Sequence, residues 1–175
     1  LTEVIQVDGH AIEINGDYSI DFGGFGKGFL VDLLFEELCS ISDADIVVNG
    51  GGDMRVRFGS QQAVPLMHPT RTNQYFVKVG LQIGALASSS PIHRSWRDGQ
   101  DNHLITRQST SYDGDVAQLT VLAATAVDAD MLATTLCLSD SPLDSVQQYD
   151  VQIVAVYTDG SHEATKGFPV LQQGG

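Results

Sequence analysis

Positive charge is scarce in this sequence: nine Lys and Arg stand against twenty-two Asp and Glu, for a formal net charge of −13. Such an acidic surface repels phosphodiester backbones and anionic membranes, which excludes nucleic acid as the principal partner. A small anionic ligand stays open, because a Gly-rich loop or a bound cation creates a local positive site. Cysteine is nearly absent. The two present, Cys39 and Cys137, sit among apolar neighbours in helix-like segments with neither CxxC nor metal-ligand spacing, so they read as buried free thiols. No apolar run approaches the ~18 residues of a membrane-spanning helix. What remains is a chain of 175 residues, 42% hydrophobic, long enough for one domain with a real core. Leu1 stands where an initiator Met would, which reads as a processed chain or a fragment and leaves the compartment unassigned.

The opening residues read as a meander. Glu3 to Val7 and His10 to Ile14 flank Asp8-Gly9, and Asn15-Gly16-Asp17 leads into a third strand from Tyr18 to Phe22. The spacing predicts a helix over Lys27 to Ser40, with Phe29, Leu30, Leu33, Leu34 and Leu38 as its apolar stripe and Asp32, Glu36 and Glu37 on a polar side. Strands follow at Ile46 to Val48 and Met54 to Phe58, joined by Asn49-Gly50-Gly51-Gly52-Asp53, and then at Phe76 to Val79, Leu119 to Ala123 and Val151 to Tyr157. A second helix is predicted over Ala126 to Leu138, opened by a capping box of Thr125 and Asp128. The polar span from Ser88 to Gly114 is irregular, and loops of that length in a compact domain are functional or disordered. With no repeat and no linker, the reading is one α+β domain of mainly antiparallel strands packed with two main helices.

Three constellations could carry chemistry. The first, Asp21-Phe22-Gly23-Gly24-Phe25-Gly26-Lys27-Gly28, lies between strand and helix, where exposed amides suit close approach to a ligand. It matches neither a P-loop nor GxGxxG, so a tight turn packing the helix against the sheet reads equally well. In the second, Asp130 and Thr134 stand four residues apart on one helix face and could share a hard cation such as Mg²⁺, or simply hydrogen bond to each other. The third is His103, in a polar approach to a short β-like step, a residue type that titrates near neutral pH. There is no HExxH and no GxSxG, which argues against zinc hydrolysis and a serine nucleophile elbow.

In order along the chain, these segments resemble the ApbE-type flavin transferases, which cleave FAD and attach FMN through a phosphoester to Thr or Ser of a target protein. Asp21 to Asp32 is similar to the family's DLGGIAKGYAVD, Asn49 to Asp53 to its NxGGD, and Ala87 to Ser90 with Arg94 to its ATSG followed by Arg. His103-Leu104-Ile105 is similar to HIIDPRTG, and Ala129 to Thr134 to ADALATA.

The resemblance implies a T-fold-like α+β domain, FAD as substrate, an acceptor protein with a Thr or Ser flavinylation site, and a homodimer as an admissible assembly. It implies that Asp130 and Thr134 hold Mg²⁺ together with the backbone carbonyl of Gly24, bridging the FAD pyrophosphate. Gly24, Gly26, Lys27, Ser89, Arg94 and His103 are implied to line the FAD site. Asp32 is implied to secure the adenosine side or the local fold, and His103 to act catalytically at the pyrophosphate. Two features depart from the family. About twenty residues precede Asp21, so the family's N-terminal segment, which supplies part of the flavin pocket, is expected to be missing. Thr106 to Thr110 stands in place of DPRTG. The competing expectations are an FAD-binding protein or FAD pyrophosphatase without transfer, or a non-catalytic remnant acting in assembly.

Overall fold

The computed structural model describes residues 5–17, 20–92, 95–96, 101–102, 104 and 112–173. Strands β1 (Ile5–Asp8) and β2 (Ala11–Ile14) form a separate antiparallel hairpin around Asp8-Gly9. Helix α1 (Gly26–Ile41) follows, then β3 (Ile46–Asn49), β4 (Met54–Met67) and β5 (Tyr75–Ser89). The two-residue strands β6 (Ser95–Trp96) and β7 (Asp101–Asn102) pair with each other. β8 (Val116–Ala123), α2 (Ala126–Cys137), the short α3 (Pro142–Ser145) and one turn of 3₁₀-helix (Val146–Gln148) come next, and β9 (Gln152–Tyr157), β10 (His162–Ala164) and β11 (Val170–Gln173) close the chain.

One antiparallel sheet organises the molecule in the order β10-β9-β8-β5-β4-β3, with β11 added to β5. β5 is the axis of the sheet. Its first half pairs with β11 around Val77 to Val79, and its second half pairs with β8 from Ala85 to Ser89. Side chains in a regular strand alternate faces, yet Leu81 and Leu86, an odd number apart, join the same cluster with Val56 and Phe168. A register shift against β4 between Arg57 and Gln62 supplies the missing half-period. Ala85 and Ala87 consequently turn to the other face, where α2 lies. There Ala126, Ala129, Leu132, Ala133 and Leu136 pack on Leu119, Val121 and Ile153 to make the larger core. The small side chains on both sides let the helix sit close to the sheet.

Thr125 caps α2: its Oγ1 accepts from the Asp128 N–H at 3.3 Å, and its hydroxyl donates to the Asp128 carboxylate in place of the reciprocal backbone bond of a full capping box. Ile20 to Phe22 is not a strand, because the turn that opens α1 uses the Phe22 carbonyl, which accepts from the N–H groups of Phe25 and Gly26. Tyr18, the start of that expected strand, lies outside the described residues. The Leu stripe of α1 is not the face that meets the protein. Gly28, Val31 and Phe35 are buried, whereas Phe29, Leu30, Leu33, Leu34 and Leu38 are exposed. A helix apolar on both sides buries the side that permits the closest approach, and here that side carries Gly28.

Both thiols are free, Cys39 half-buried and Cys137 buried in the α2 core. Burial pushes the Cys137 thiol up to about 12. In native protein a colourimetric thiol reagent is expected to titrate Cys39 and spare Cys137, with both reacting in urea; fast native reaction of two thiols would contradict this burial. Because the folded pKa lies above the unfolded one, this thiol's contribution to stability is full below the ordinary value of 9.0 and is lost as pH rises toward about 12.

Candidate functional site

Two helix starts converge beside the glycine turn of β3 and β4. Each N-terminus carries backbone N–H groups without intrahelical partners, and each is satisfied by a carboxylate from the other helix. The Gly28 N–H of α1 donates to Asp130 Oδ2 at 3.0 Å. In return, the Ala126 and Val127 N–H groups of α2 donate to Asp32 Oδ1 and Oδ2 at 2.8 and 2.9 Å. Arg55 steadies Asp32 at 2.9 Å, pairs with Glu36 at 2.8 Å, and lies over the Phe35 ring. The observed partners of Asp32 thus belong to the fold: it caps α2 and holds that helix to α1 and β4. Asp32→Ala is expected to cost about 0.5–2 kcal/mol, the range of a lost N-cap, read by urea unfolding. An unchanged midpoint would show that the reciprocal caps are dispensable.

The helices can exchange caps because they nearly touch at Gly28. A Cβ built there would lie 2.3 Å from the Ala126 carbonyl oxygen, a backbone atom. No other residue fits this crossing without moving a helix.

Asp130 is buried and takes a second partner, the Lys27 ammonium, at 3.1 Å from Oδ1 and 3.3 Å from Oδ2. The same ammonium lies 3.0 Å from Asp53 Oδ2, and both carboxylate side chains are only 5% exposed. Burial pulls the Lys27 pKa down, but the hydrogen bonds and charges of Asp53 and Asp130 outweigh it and hold the ammonium above its ordinary value. Lys27 is therefore charged throughout the neutral range. Asp53 reaches this position at the end of Asn49-Gly50-Gly51-Gly52. The Asn49 side-chain oxygen accepts from the Gly51 and Gly52 N–H groups, whose residues have φ of +87° and +117°. Those angles lie in the region open to glycine. Gly50 N–H donates to the Asp53 carbonyl at 2.8 Å, closing the turn.

One helical turn beyond Asp130, Thr134 Oγ1 shares a hydrogen bond with Ser89 Oγ at 3.1 Å, at the end of β5. Gly24 lies beside Thr134, its Cβ position 3.9 Å from Thr134 Cγ2. Gly24, Lys27, Ser89, Asp130 and Thr134, spread over 111 residue numbers in the sequence, are thus gathered at one place. Gly26 belongs to the turn: its N–H donates to the Phe22 carbonyl at 2.7 Å. The Gly23 N–H is likewise committed, to Asp21 Oδ1, so these glycine amides serve the loop's shape. Arg94, His103 and the Thr106 to Thr110 segment lie outside the described residues.

Asp53 and Gly28 are the residues that reasoning from the sequence did not single out for the site. The signal for Asp53 was its place at the end of the Asn-Gly-Gly-Gly turn. The signal for Gly28 was its place at the end of the glycine cluster, read as a turn packing the helix against the sheet. Among the described residues no three His, Cys, Asp or Glu side chains cluster as metal ligands; the oxygen-bearing side chains gathered here are the carboxylates of Asp53 and Asp130 and the hydroxyls of Ser89 and Thr134. Two surface concavities, one along Met67 to Asn73 and one beside Leu143 and Tyr149, include none of these side chains.

Carboxylate, ammonium and hydroxyl groups thus meet where a glycine loop and two helix starts converge on the sheet. The sequence matches the ApbE family over residues 2–155, and the chain belongs to that family. No curated protein matches the chain. Among solved structures it is similar to the ApbE protein of Thermotoga maritima, with TM-score 0.85 and 21% identity over 94% of this chain and 57% of that one. It is similar to the apo flavinyl transferase ApbE of Pseudomonas stutzeri, with TM-score 0.74 and 18% identity over 93% of this chain and 53% of that one. For the flavin transferase ApbE of Vibrio cholerae the TM-score is 0.71 and the identity 18%, over 93% of this chain and 55% of that one. The mixed α/β fold with mostly antiparallel strands is therefore the ApbE fold, and the chain spans a little over half the length of these proteins.

Proposed function

We propose that this chain acts in the magnesium-dependent transfer of FMN from FAD to a Thr or Ser of an acceptor protein. The observation that carries the reading is the convergence of Lys27, Asp130, Thr134, Ser89 and Gly24 at the N-terminus of α1. Phosphoryl-type transfer asks a protein mainly for positioned charge around phosphate oxygens. The Asp130 carboxylate, the Thr134 hydroxyl and the Gly24 carbonyl are all hard oxygen donors, the set that suits Mg²⁺, which keeps several waters and takes one or two carboxylates. When bound, Mg²⁺ supplies Lewis-acid polarisation of the pyrophosphate oxygens and neutralises charge that develops there.

This chain's own residues have the remaining work. Lys27 lies between the carboxylates of Asp53 and Asp130, so acidic groups outnumber basic ones at this cluster and it favours a cation, through which an anion can be held. Ser89 orients the Thr134 hydroxyl. In the overall reaction the acceptor hydroxyl oxygen bonds to the FMN-side phosphorus, the bridging P–O bond breaks, and AMP leaves with the bridging oxygen. The hydroxyl proton must pass to a base, a role that the family resemblance gives to His103, and Arg94 is proposed among the FAD-binding residues.

The test combines the protein with FAD, Mg²⁺ and an acceptor, and measures AMP and covalent flavin separately. Equal amounts of both, abolished by EDTA, are expected. The sequence Thr106 to Thr110 in place of DPRTG favours a second reading, FAD cleavage without transfer. AMP without covalent flavin would establish that reading, and absence of both products would leave a non-catalytic role in assembly.

A further inference from the structure

Three elements bring one ammonium between two carboxylates. Lys27 stands in the first turn of α1, Asp53 ends the glycine turn between β3 and β4, and Asp130 lies in α2. The Lys27 ammonium is 3.0 Å from Asp53 Oδ2 and 3.1 and 3.3 Å from the two oxygens of Asp130. Near-equal distances to both oxygens place it across the open edge of the Asp130 carboxylate. Oδ2 of that group also accepts from the Gly28 N–H, so the ammonium covers the oxygens that a metal cation on Asp130 would need. Two positive charges a few ångströms apart repel far more strongly inside a protein than in water, and they exclude each other from one carboxylate edge.

The ammonium has a second place to rest. Asp53 is held by its own turn, in which Gly50 N–H donates to the Asp53 carbonyl and Asn49 binds the Gly51 and Gly52 N–H groups. The Lys27 side chain is 38% exposed on a flexible four-carbon stem, so a small rotation takes the ammonium off Asp130 while it stays on Asp53. Charge favours the same movement. Lys27 with Asp53 is a neutral pair, and Asp130 is left with its full charge for a divalent cation. We propose that Lys27 is a displaceable counter-cation of the Asp130 site, and that Asp53 is a positioning residue that keeps the ammonium when a divalent cation takes Asp130. The proposal deepens the transfer reading and rests on its assignment of Asp130 as a cation ligand.

The test is Mn²⁺ binding to the 175-residue chain without flavin, followed by loss of the free-ion electron paramagnetic resonance signal. Mn²⁺ takes the same carboxylate, carbonyl and water ligands as Mg²⁺. Lys27→Met, which keeps an aliphatic stem, is expected to bind Mn²⁺ about tenfold tighter than wild type, and Asp53→Asn about tenfold more weakly. The double variant decides how Asp53 acts. Once Lys27 is Met, Asp53→Asn is expected to cost less than about threefold, because no ammonium is left for Asp53 to keep. An equal cost in both backgrounds would make Asp53 a ligand or a bystander charge and overturn the proposal, as would a Lys27→Met protein that binds no tighter than wild type. Lys27→Met also removes a positive partner from two buried carboxylates, so thermal melting is recorded beside affinity. A lower melting temperature without metal is expected, with Mn²⁺ raising it more than it raises that of wild type, since one cation replaces another; equal rises would overturn the proposal as well. If none of the proteins binds Mn²⁺, both this proposal and the cation of the transfer reading fall. Affinities in the expected order, with neither AMP nor covalent flavin formed from FAD, would remove the transfer reading alone.

Discussion

Asp130→Asn is expected to lower Mg²⁺ affinity at least about tenfold with FAD present and to reduce FMN transfer by about 10²- to 10³-fold, the scale of losing one preorganised electrostatic contact. The amide keeps an oxygen to accept from the Gly28 N–H, so the start of α1 stays satisfied and the fold persists. What disappears is the negative charge that the Lys27 ammonium and a cation both need. Calorimetry measures the affinity and circular dichroism checks the fold. Unchanged Mg²⁺ affinity in a folded variant would remove Asp130 from the cation site. Should affinity fall while transfer continues at the wild-type rate, the cation would be separated from the reaction. The Asp53 carboxylate remains beside Lys27 in this variant, so loss of the Lys27 pairing cannot by itself explain a change in cation binding.

The parts of this site legible in the sequence were those whose signal is local. Thr125 and Asp128 are three residues apart, so the Thr125 side chain reaches the Asp128 N–H and caps α2, and Asp130 and Thr134 share a face because the helix repeats every 3.6 residues. The Asn49 to Asp53 turn was visible from its glycines. Length and facing were not. Strands β4 and β5 run to 14 and 15 residues, well beyond the runs read at Met54 to Phe58 and Phe76 to Val79. Pro65, Gly80 and Gly84 interrupt the β-forming pattern there, and the register shift reverses which side chains face the core. Helix α1 was found within a residue at each end, but its outward stripe is as apolar as its inward one, so periodicity alone could not choose between them. That choice is made by a contact 98 residue numbers away, between Gly28 and Ala126, which no window along the chain can contain. The same holds for the pairing of Lys27 with Asp53 and Asp130. Resemblance ordered these segments; only the fold put their side chains within hydrogen-bonding distance.

Gly28→Ala tests that long-range contact most directly. In an exposed helix Ala in place of Gly stabilises by about 1 kcal/mol. Here the added methyl would lie 2.3 Å from the Ala126 carbonyl oxygen and 2.8 Å from the Val127 Cα. Backbone atoms cannot swing aside as a side-chain tip can, so α1 and α2 must separate. Overpacking of a tight contact costs about 1–3 kcal/mol and at times more, and the separation also stretches the Gly28 N–H to Asp130 and Asp32 to Ala126 caps. A net loss of about 2 kcal/mol or more is expected in urea unfolding. Gly26→Ala is the control, because its Cβ position has only ordinary contact, 3.6 Å from Phe22 Cβ, and it is expected to change stability by less than about 1 kcal/mol. Function should suffer beyond stability. Lys27 rides on α1 and Asp130 on α2, so moving the helices apart by about an ångström displaces the ammonium from the carboxylate, and misplacement on that scale can cost about 10²-fold in rate. Transfer is therefore expected to fall about 10²-fold at temperatures where Gly28→Ala is still folded. A variant as stable as the parent would show that the helices do not meet at Gly28, whereas a destabilised variant with full transfer would show that the spacing of Lys27 and Asp130 does not govern the reaction.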